Sequence, residues 1–164
     1  MSKVRVVFSR NKSWTSIFSN VIMFFEQIKY DHCAIIVDGD MSFVYESTVP
    51  KSRVMALEEW SKSHEIVKEY QLSACTPDKL IWLRRNIGKP YSFSQLFFIG
   101  VGIIFSPAEK LMEKWKINGS RFLICTELVG RYLIEFEQIK FNETPDTLSL
   151  TEIVEVLEDR NGEG

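Results

Sequence analysis

Apolar and polar positions along the 164-residue chain fall into short runs whose period changes repeatedly. Val4 to Phe8 is short and β-rich, and predicts a first strand. Ser13 then stands as a helix N-cap, and Trp14, Ile17, Phe18, Val21, Ile22, Phe25 and Ile28 recur at helical spacing, which predicts an amphipathic helix over 14–29. His32 to Val37 is short, apolar and β-branched, so it reads as a strand. Asp38-Gly39-Asp40 is a turn signal, and Ser42 to Ser47 reads as the next strand. Arg53 to Met55 predicts a further short strand, Leu57 to Trp60 a helical turn, and Glu65 to Leu72 another strand.

The second half of the chain is more helical in pattern. Thr76-Pro77-Asp78 combines a capping Thr, a Pro at the first helical position and an acid in the first turn, so a helix starts there and stops before Gly88. Ser92 or Phe93 opens an almost wholly apolar run to Phe105, broken only by Ser94, Gln95, Gly100 and Gly102. Ser106-Pro107-Ala108-Glu109 has a capping-box pattern and opens a short helix to about Trp115. Asn118-Gly119-Ser120 is a loop. Phe122 to Ile124 leads into a helix from Cys125 to Phe136. Thr144-Pro145-Asp146 marks a turn, and a short helix is expected after Leu148 or Thr151, with frayed residues from Asp159 to Gly164. Neither a repeat nor a linker interrupts the chain. The expectation is one α+β domain.

Composition narrows the class rather than the chemistry. Hydrophobic residues make up 45% and charged residues 26%, values of a compact globular domain rather than a disordered tail, a collagen-like repeat or a disulfide scaffold. Twenty basic against 22 acidic residues give a net charge of −2, without the basic excess of a dedicated nucleic-acid binder. Lys110, Lys114 and Lys116 read as a solvated helix face. The N-terminus, Met1-Ser2-Lys3-Val4-Arg5-Val6-Val7, reads as a strand and not as a signal peptide. The apolar segment 93–105 is too short to span a bilayer, which takes about 20 residues. It is expected as a buried core helix, the alternative being a helix that dips into a membrane. These readings place the chain in the cytoplasm.

Three Cys and two His leave few ways to build a reactive site. Cys33, Cys75 and Cys125 are odd in number and widely spaced, which argues for free thiols in a reducing compartment. No ligand spacing suggests zinc, and no other metal or cofactor is expected. Gly100 and Gly102 lack the Lys-Ser/Thr of a phosphate loop. Cys125 stands at the first turn of a helix, where unpaired N–H groups and the dipole favour a thiolate. The alternative is a small buried hydrophobe. His32 opens a strand, as a general base or as a satisfied, partly buried histidine. Glu46 is a candidate to hold its ring. A three-residue hairpin loop at 38–40 would oppose His32 to Glu46 on one sheet face. A two-residue loop would oppose His32 to Tyr45 and send Glu46 to the other face. Cys33 points away from His32 and is expected to be packing. Cys75 has no evident His partner, and His64 is expected in a polar, exposed turn.

A strand-opening His followed by small and aliphatic residues, a Glu on the next strand, and a later Cys125-Thr126-Glu127-Leu128-Val129 at a helix start resemble the circularly permuted papain-fold amidases of the YiiX/YaeF type. These are relatives of the NlpC cell-wall peptidases and of lecithin:retinol acyltransferase. In the permuted group His precedes Cys, as here. Ser13-Trp14 in the preceding helix, Gly88-Lys89-Pro90-Tyr91 before an apolar helix, and Thr144-Pro145 near the end are further points of similarity, over roughly residues 4 to 150. The resemblance implies a permuted papain-like fold, a small antiparallel sheet packed against helices. It implies Cys125 as nucleophile, His32 as base and Glu46 as orienting residue. The backbone N–H of Cys125 would be an oxyanion donor. Tyr91 would help bind substrate, or else be a core or rim aromatic. Thr126 stands where the family often has Ser, a mild departure, and Glu127 reads as a first-turn helix acid. The implied activity is a thiol hydrolase acting on a peptide, muropeptide or isopeptide. The alternatives are a lipid acyltransferase or thioesterase, and a non-catalytic binding or structural module, such as a phage or bacterial component.

Overall fold

A computed structural model describes residues 2–12, 29–92 and 123–162. Most of the helix expected over 14–29, the apolar helix at 93–105, the short helix at 106–115 and the loop at 118–120 lie outside the described residues. Lys29, the last residue of the first of these, is in a bend.

The chain forms an α+β fold around a five-stranded antiparallel sheet of order β4-β3-β2-β1-β5. The strands are β1 (Lys3–Asn11), β2 (His32–Asp38), β3 (Phe43–Glu46), β4 (Arg53–Ala56) and β5 (His64–Gln71). Helical turn α1 (Leu57–Trp60) sits between β4 and β5, and α2 (Pro77–Arg85), α3 (Cys125–Glu137) and α4 (Leu150–Gly162) follow. The continuous apolar runs of β1 and β2 are explained by burial on both faces. One face carries Val6, Phe8, Cys33, Ile35 and Tyr45, and packs with Leu128, Val129 and Tyr132 of α3 and Ile153 and Leu157 of α4. The other carries Val7, Ala34, Ile36 and Val44, closed by Trp60 of α1.

Local signals set most element ends. Thr76 caps α2 by accepting a hydrogen bond from the Lys79 N–H, with Pro77 at the first helical position. Gly88, at φ +85°, takes the left-handed turn that follows α2. Helix α3 ends instead on Gln138 in the left-handed region, φ 56°, a stop that no Gly announces. Helix α4 continues through Gly162, so the fraying expected from Asp159 is not observed as far as that residue. A reciprocal cap starts it: Glu152 Oε2 accepts from the Ser149 N–H at 2.7 Å, and Ser149 Oγ accepts from the Glu152 N–H at 3.2 Å. Arg160 near its end reaches Glu137 Oε2 at 3.3 Å, and buried Glu137 also receives Lys79 Nζ at 2.9 Å. Among the described residues no helix is long and apolar enough to cross a membrane.

The backbone of α3 comes close to the segment before α4. A Cβ added at Gly130 would meet Leu148 Cδ1 at 2.5 Å, and Leu148 is itself buried. Gly130→Val is expected to lower the unfolding free energy by about 1–3 kcal/mol, as overpacking does. Gly130→Ala should cost less, because only the tip of Leu148 must turn. Urea titration of both variants checks the order.

Candidate functional site

The site assembles where β2 begins, β3 ends and α3 begins. The β2–β3 register pairs Val37 with Phe43 and Ile35 with Tyr45, so five residues, 38–42, lie between the last paired positions. The three-residue loop that would oppose His32 to Glu46 does not form. The longer loop is pinned from outside the hairpin. Asp38 takes Arg5 Nε at 2.9 Å and the Ser42 hydroxyl at 2.9 Å, while the Ser42 carbonyl accepts from the Leu57 N–H. Lengthening an odd loop by two residues preserves which face each side chain occupies. Continued by one residue, the register sets Glu46 opposite Ala34, and His32 lies diagonally across on the same face. A Glu side chain spans that diagonal.

Glu46 is fully buried and holds three donors. Its Oε2 accepts from His32 Nε2 at 2.7 Å and from Trp60 Nε1 at 2.9 Å, and its Oε1 accepts from Arg53 Nε at 2.7 Å. Burial alone would raise its pKa. The hydrogen bond and charge of His32, with the Trp60 and Arg53 donors, instead hold the carboxyl well below the usual carboxylate range. This is how an acid inside an apolar hairpin is accommodated, with its charge paired and its lone pairs engaged.

The imidazole of His32 is hydrogen-bonded on both sides. With Nε2 on Glu46, Nδ1 is left for its hydrogen bond with Cys125. Burial pulls the His32 pKa down, but the hydrogen bonds to Cys125 and Glu46 and their charges outweigh it and push it up to about 10. Cys125 responds in the opposite sense. A side-chain hydrogen bond from Cys33 is the largest influence and lowers its pKa. Burial opposes this, and the hydrogen bond and charge of His32 and the Cys33 backbone N–H lower it further, well below a free thiol. Both shifts favour a thiolate beside an imidazolium.

Helix α3 delivers the sulfur. Ile124 is its extended N-cap, and its first intrahelical bond runs from the Leu128 N–H to the Ile124 carbonyl. The N–H groups of Cys125, Thr126 and Glu127 thus precede the helical ladder, with the positive end of the dipole at the sulfur. Two anchors aim this turn: Ser47 Oγ donates to the Leu123 carbonyl at 2.7 Å, and the Leu123 N–H donates to the Pro90 carbonyl at 2.9 Å. The same pairing brings in Tyr91, bridged to Leu123. Burial, followed by the nearby charges of Cys125 and Cys33, raises the Tyr91 phenol far above its ordinary pKa, so it stays a neutral hydroxyl beside the sulfurs. Glu127 is buried on another side of α3, with Arg131 Nη2 at 2.5 Å, in keeping with a helix acid.

Two residues belong to the site that the sequence pattern assigned elsewhere. Cys33 sits in the core, as expected, and it is also the first of the influences that lower the Cys125 pKa. His64 is half-buried, not in an exposed turn. Its ring stacks on Trp60 at 4.4 Å with a 3° interplanar angle, and lies 5.9 Å from the His32 ring. Burial and then the His32 charge lower its pKa, so it is neutral at neutral pH. Cys75 is apart from this group, and burial pushes its thiol up, partly offset by Lys79.

The structure thus brings His32, Glu46, Cys125 and Tyr91 together. Neither the protein-family models nor the curated proteins compared with this chain give a match.

Proposed function

We propose that this chain is a cysteine hydrolase of permuted papain-like order that cleaves an amide or peptide bond through an acyl-enzyme on Cys125. The observation that carries the reading is His32 held by the thrice-bonded Glu46, with the charge of His32 drawing down the Cys125 thiol at the helix start. In this reading the thiolate attacks the carbonyl carbon. The developing oxyanion is met by the Cys125 N–H at the start of α3. The His32 imidazolium protonates the departing amine, and neutral His32 then takes a proton from the water that releases the acid. Glu46 keeps the ring in one orientation and stabilises its cation, with Arg53 and Trp60 holding Glu46. Tyr91, bridged to Leu123 just before the helix start, would contact the acyl group. The substrate class is a peptide, muropeptide or isopeptide. The resemblance of the Cys125-Thr126-Glu127-Leu128-Val129 segment to permuted amidases supports the same assignment.

The test is to incubate reduced protein with an activated acyl ester and an acyl anilide and to map adducts by mass spectrometry. An acyl group on the tryptic peptide 122–131 is expected, absent in Cys125→Ala. His32→Ala should slow adduct formation by about 10²–10⁴-fold. Acylation of Cys75 alone, or no adduct from either donor, would remove the hydrolase reading.

A further inference from the structure

Strand β4 is an edge of the sheet, and it begins beside the site. Its first residue, Arg53, pairs with Glu46 in the ladder and bonds the Glu46 carboxylate through Nε. One contact fixes the hydrogen-bond phase of this edge. The Leu57 N–H donates to the Ser42 carbonyl at 2.9 Å, one position beyond the Phe43–Ala56 pair. Positions along an antiparallel ladder alternate between bonded and non-bonded pairs. Leu57, Met55 and Arg53 therefore turn their N–H and C=O groups toward β3, and Val54 and Ala56 turn theirs outward. These outward groups meet no hydrogen-bond partner among the described residues.

The same edge is paired one step earlier. Ser52, outward in the same phase, donates its N–H to the Lys89 carbonyl and accepts from the Gly88 N–H, both at 2.9 Å. The Pro50 carbonyl accepts from the Tyr91 N–H, and Lys51 bridges Pro90 in antiparallel sense. That cover ends at Gly88, because the residues before it belong to the end of α2. Beyond it the side chains leave the edge accessible. Val54 and Phe43 share one face, each 38% exposed. On the other face the half-exposed Arg53 uses only Nε on Glu46, and its remaining N–H groups have no acceptor among the described residues. An uncovered edge of this kind is a template for another strand. We propose that the open edge of β4 docks an extended peptide, added antiparallel across Val54 and Ala56, with apolar side chains over Val54 and Phe43 and an acidic side chain beside Arg53. Backbone bonds would hold the peptide and alternate side chains would select it. Its direction follows the 88–91 segment, which is antiparallel on the same edge. Two open residues suit a short peptide and are too few for a second copy of the chain, whose stable interface takes about 1,000 Å² or more. The proposal goes beyond the hydrolase reading and rests on the sheet edge, not on Cys125.

The experiment uses the full chain carrying Cys125→Ala, labelled for amide NMR, so that binding is read without turnover. The probe is the end-blocked peptide Thr-Val-Glu-Val-Thr, whose Glu would stand opposite Met55 and diagonal to Arg53. Before peptide is added, the Val54 and Ala56 amides should exchange with solvent quickly and those of Met55 and Leu57 slowly. At saturating peptide the Val54 and Ala56 amides should shift and become protected. Methylating both Val nitrogens of the peptide, which face the edge, should weaken binding by about 10- to 100-fold, the loss of two hydrogen bonds. Methylating the Glu nitrogen, which faces away, should leave it unchanged, and Lys in place of Glu should weaken it. Val54→Pro removes an N–H that lies outside the ladder, so the variant should fold and lose the peptide. Protected Val54 and Ala56 amides in the free chain would mean that this chain or a second copy already covers the edge, and would overturn the proposal. Shifts confined to other residues, or binding indifferent to methylation of the Val nitrogens, overturn it too. The amides of the unaltered edge and the peptide series decide even if Val54→Pro does not fold. A chain that is acylated on Cys125 but never binds the peptide loses this proposal alone, and one that binds but is never acylated loses only the hydrolase.

Discussion

Iodoacetamide is expected to alkylate Cys125 of the wild-type protein at a rate that varies little from about pH 6 to pH 9, across the ordinary thiol pKa of about 8.5. The Cys125 thiol lies well below that value and the His32 imidazolium holds its proton up to about 10. Between those limits the reactive pair does not change its protonation. His32→Ala removes the cation and one hydrogen bond while leaving the sulfur buried, and burial drives a thiol up. The midpoint should then move to 8.5 or higher, where a thiol is about 1% ionised at pH 6.5. A more basic thiolate is also the better nucleophile, which returns part of the loss, so the net fall at pH 6.5 is about 10- to 100-fold. Cys75, pushed up by burial, should show the alkaline profile in both proteins. Mass-spectrometric rates for peptides 122–131 and 69–79 measure both in one digest. If Cys125 titrates alongside Cys75 in the wild type, the ion pair does not exist.

Glu46→Ala should be the most destabilising change at the site. Removing one partner of a buried ion pair typically costs about 3–5 kcal/mol, because the charge left behind has lost both its partner and its water. Here His32, Trp60 and Arg53 all lose their acceptor at once. The pH dependence identifies the cause. The Glu46 pKa is depressed in the folded state, so its contribution is present above the ordinary carboxylate value of about 4.3 and is lost as pH falls below it. The difference between wild type and variant should therefore shrink on acidification. His32 and Cys125 shift in opposite senses. The raised His32 contributes fully below about 6.5 and is lost as pH rises through about 10. The depressed Cys125 contributes fully above about 8.5 and is lost as pH falls. Between about 6.5 and 8.5 folded and unfolded chains bind the same number of protons at this pair, so stability is flat there and declines on either side. Urea titrations of wild type and Glu46→Ala from pH 3 to 10 would show both features. A constant difference down to pH 3 would mean that Glu46 acts through packing and not through its charge.

Several elements were legible because their signals are local. The apolar runs at Val4 to Phe8 and His32 to Val37, the Thr76-Pro77-Asp78 cap and the helix beginning at Cys125 each appear where the pattern put them. The start and core face of α4 were also written in the chain, as the Ser149-x-x-Glu152 box and the apolar residues Ile153, Val154 and Leu157. Other features had no local signal. The 38–42 loop is longer than its turn residues suggest because Arg5 and Leu57, distant in sequence, hold it. His64 is drawn from an expected exposed turn by the Trp60 ring.

For the site itself, sequence alone determined end position: it put His32 at a strand start and Cys125 at a first turn, and left the face of Glu46 conditional on loop length, which the observed register then set. The tertiary structure decided what these residues are chemically. It brought the start of β2 against the start of α3 and enclosed Glu46 among three donors. Protonation follows from burial and from charges brought close by folding. Neither is a property of neighbours along the chain, because the groups that fix each pKa come from different strands and helices.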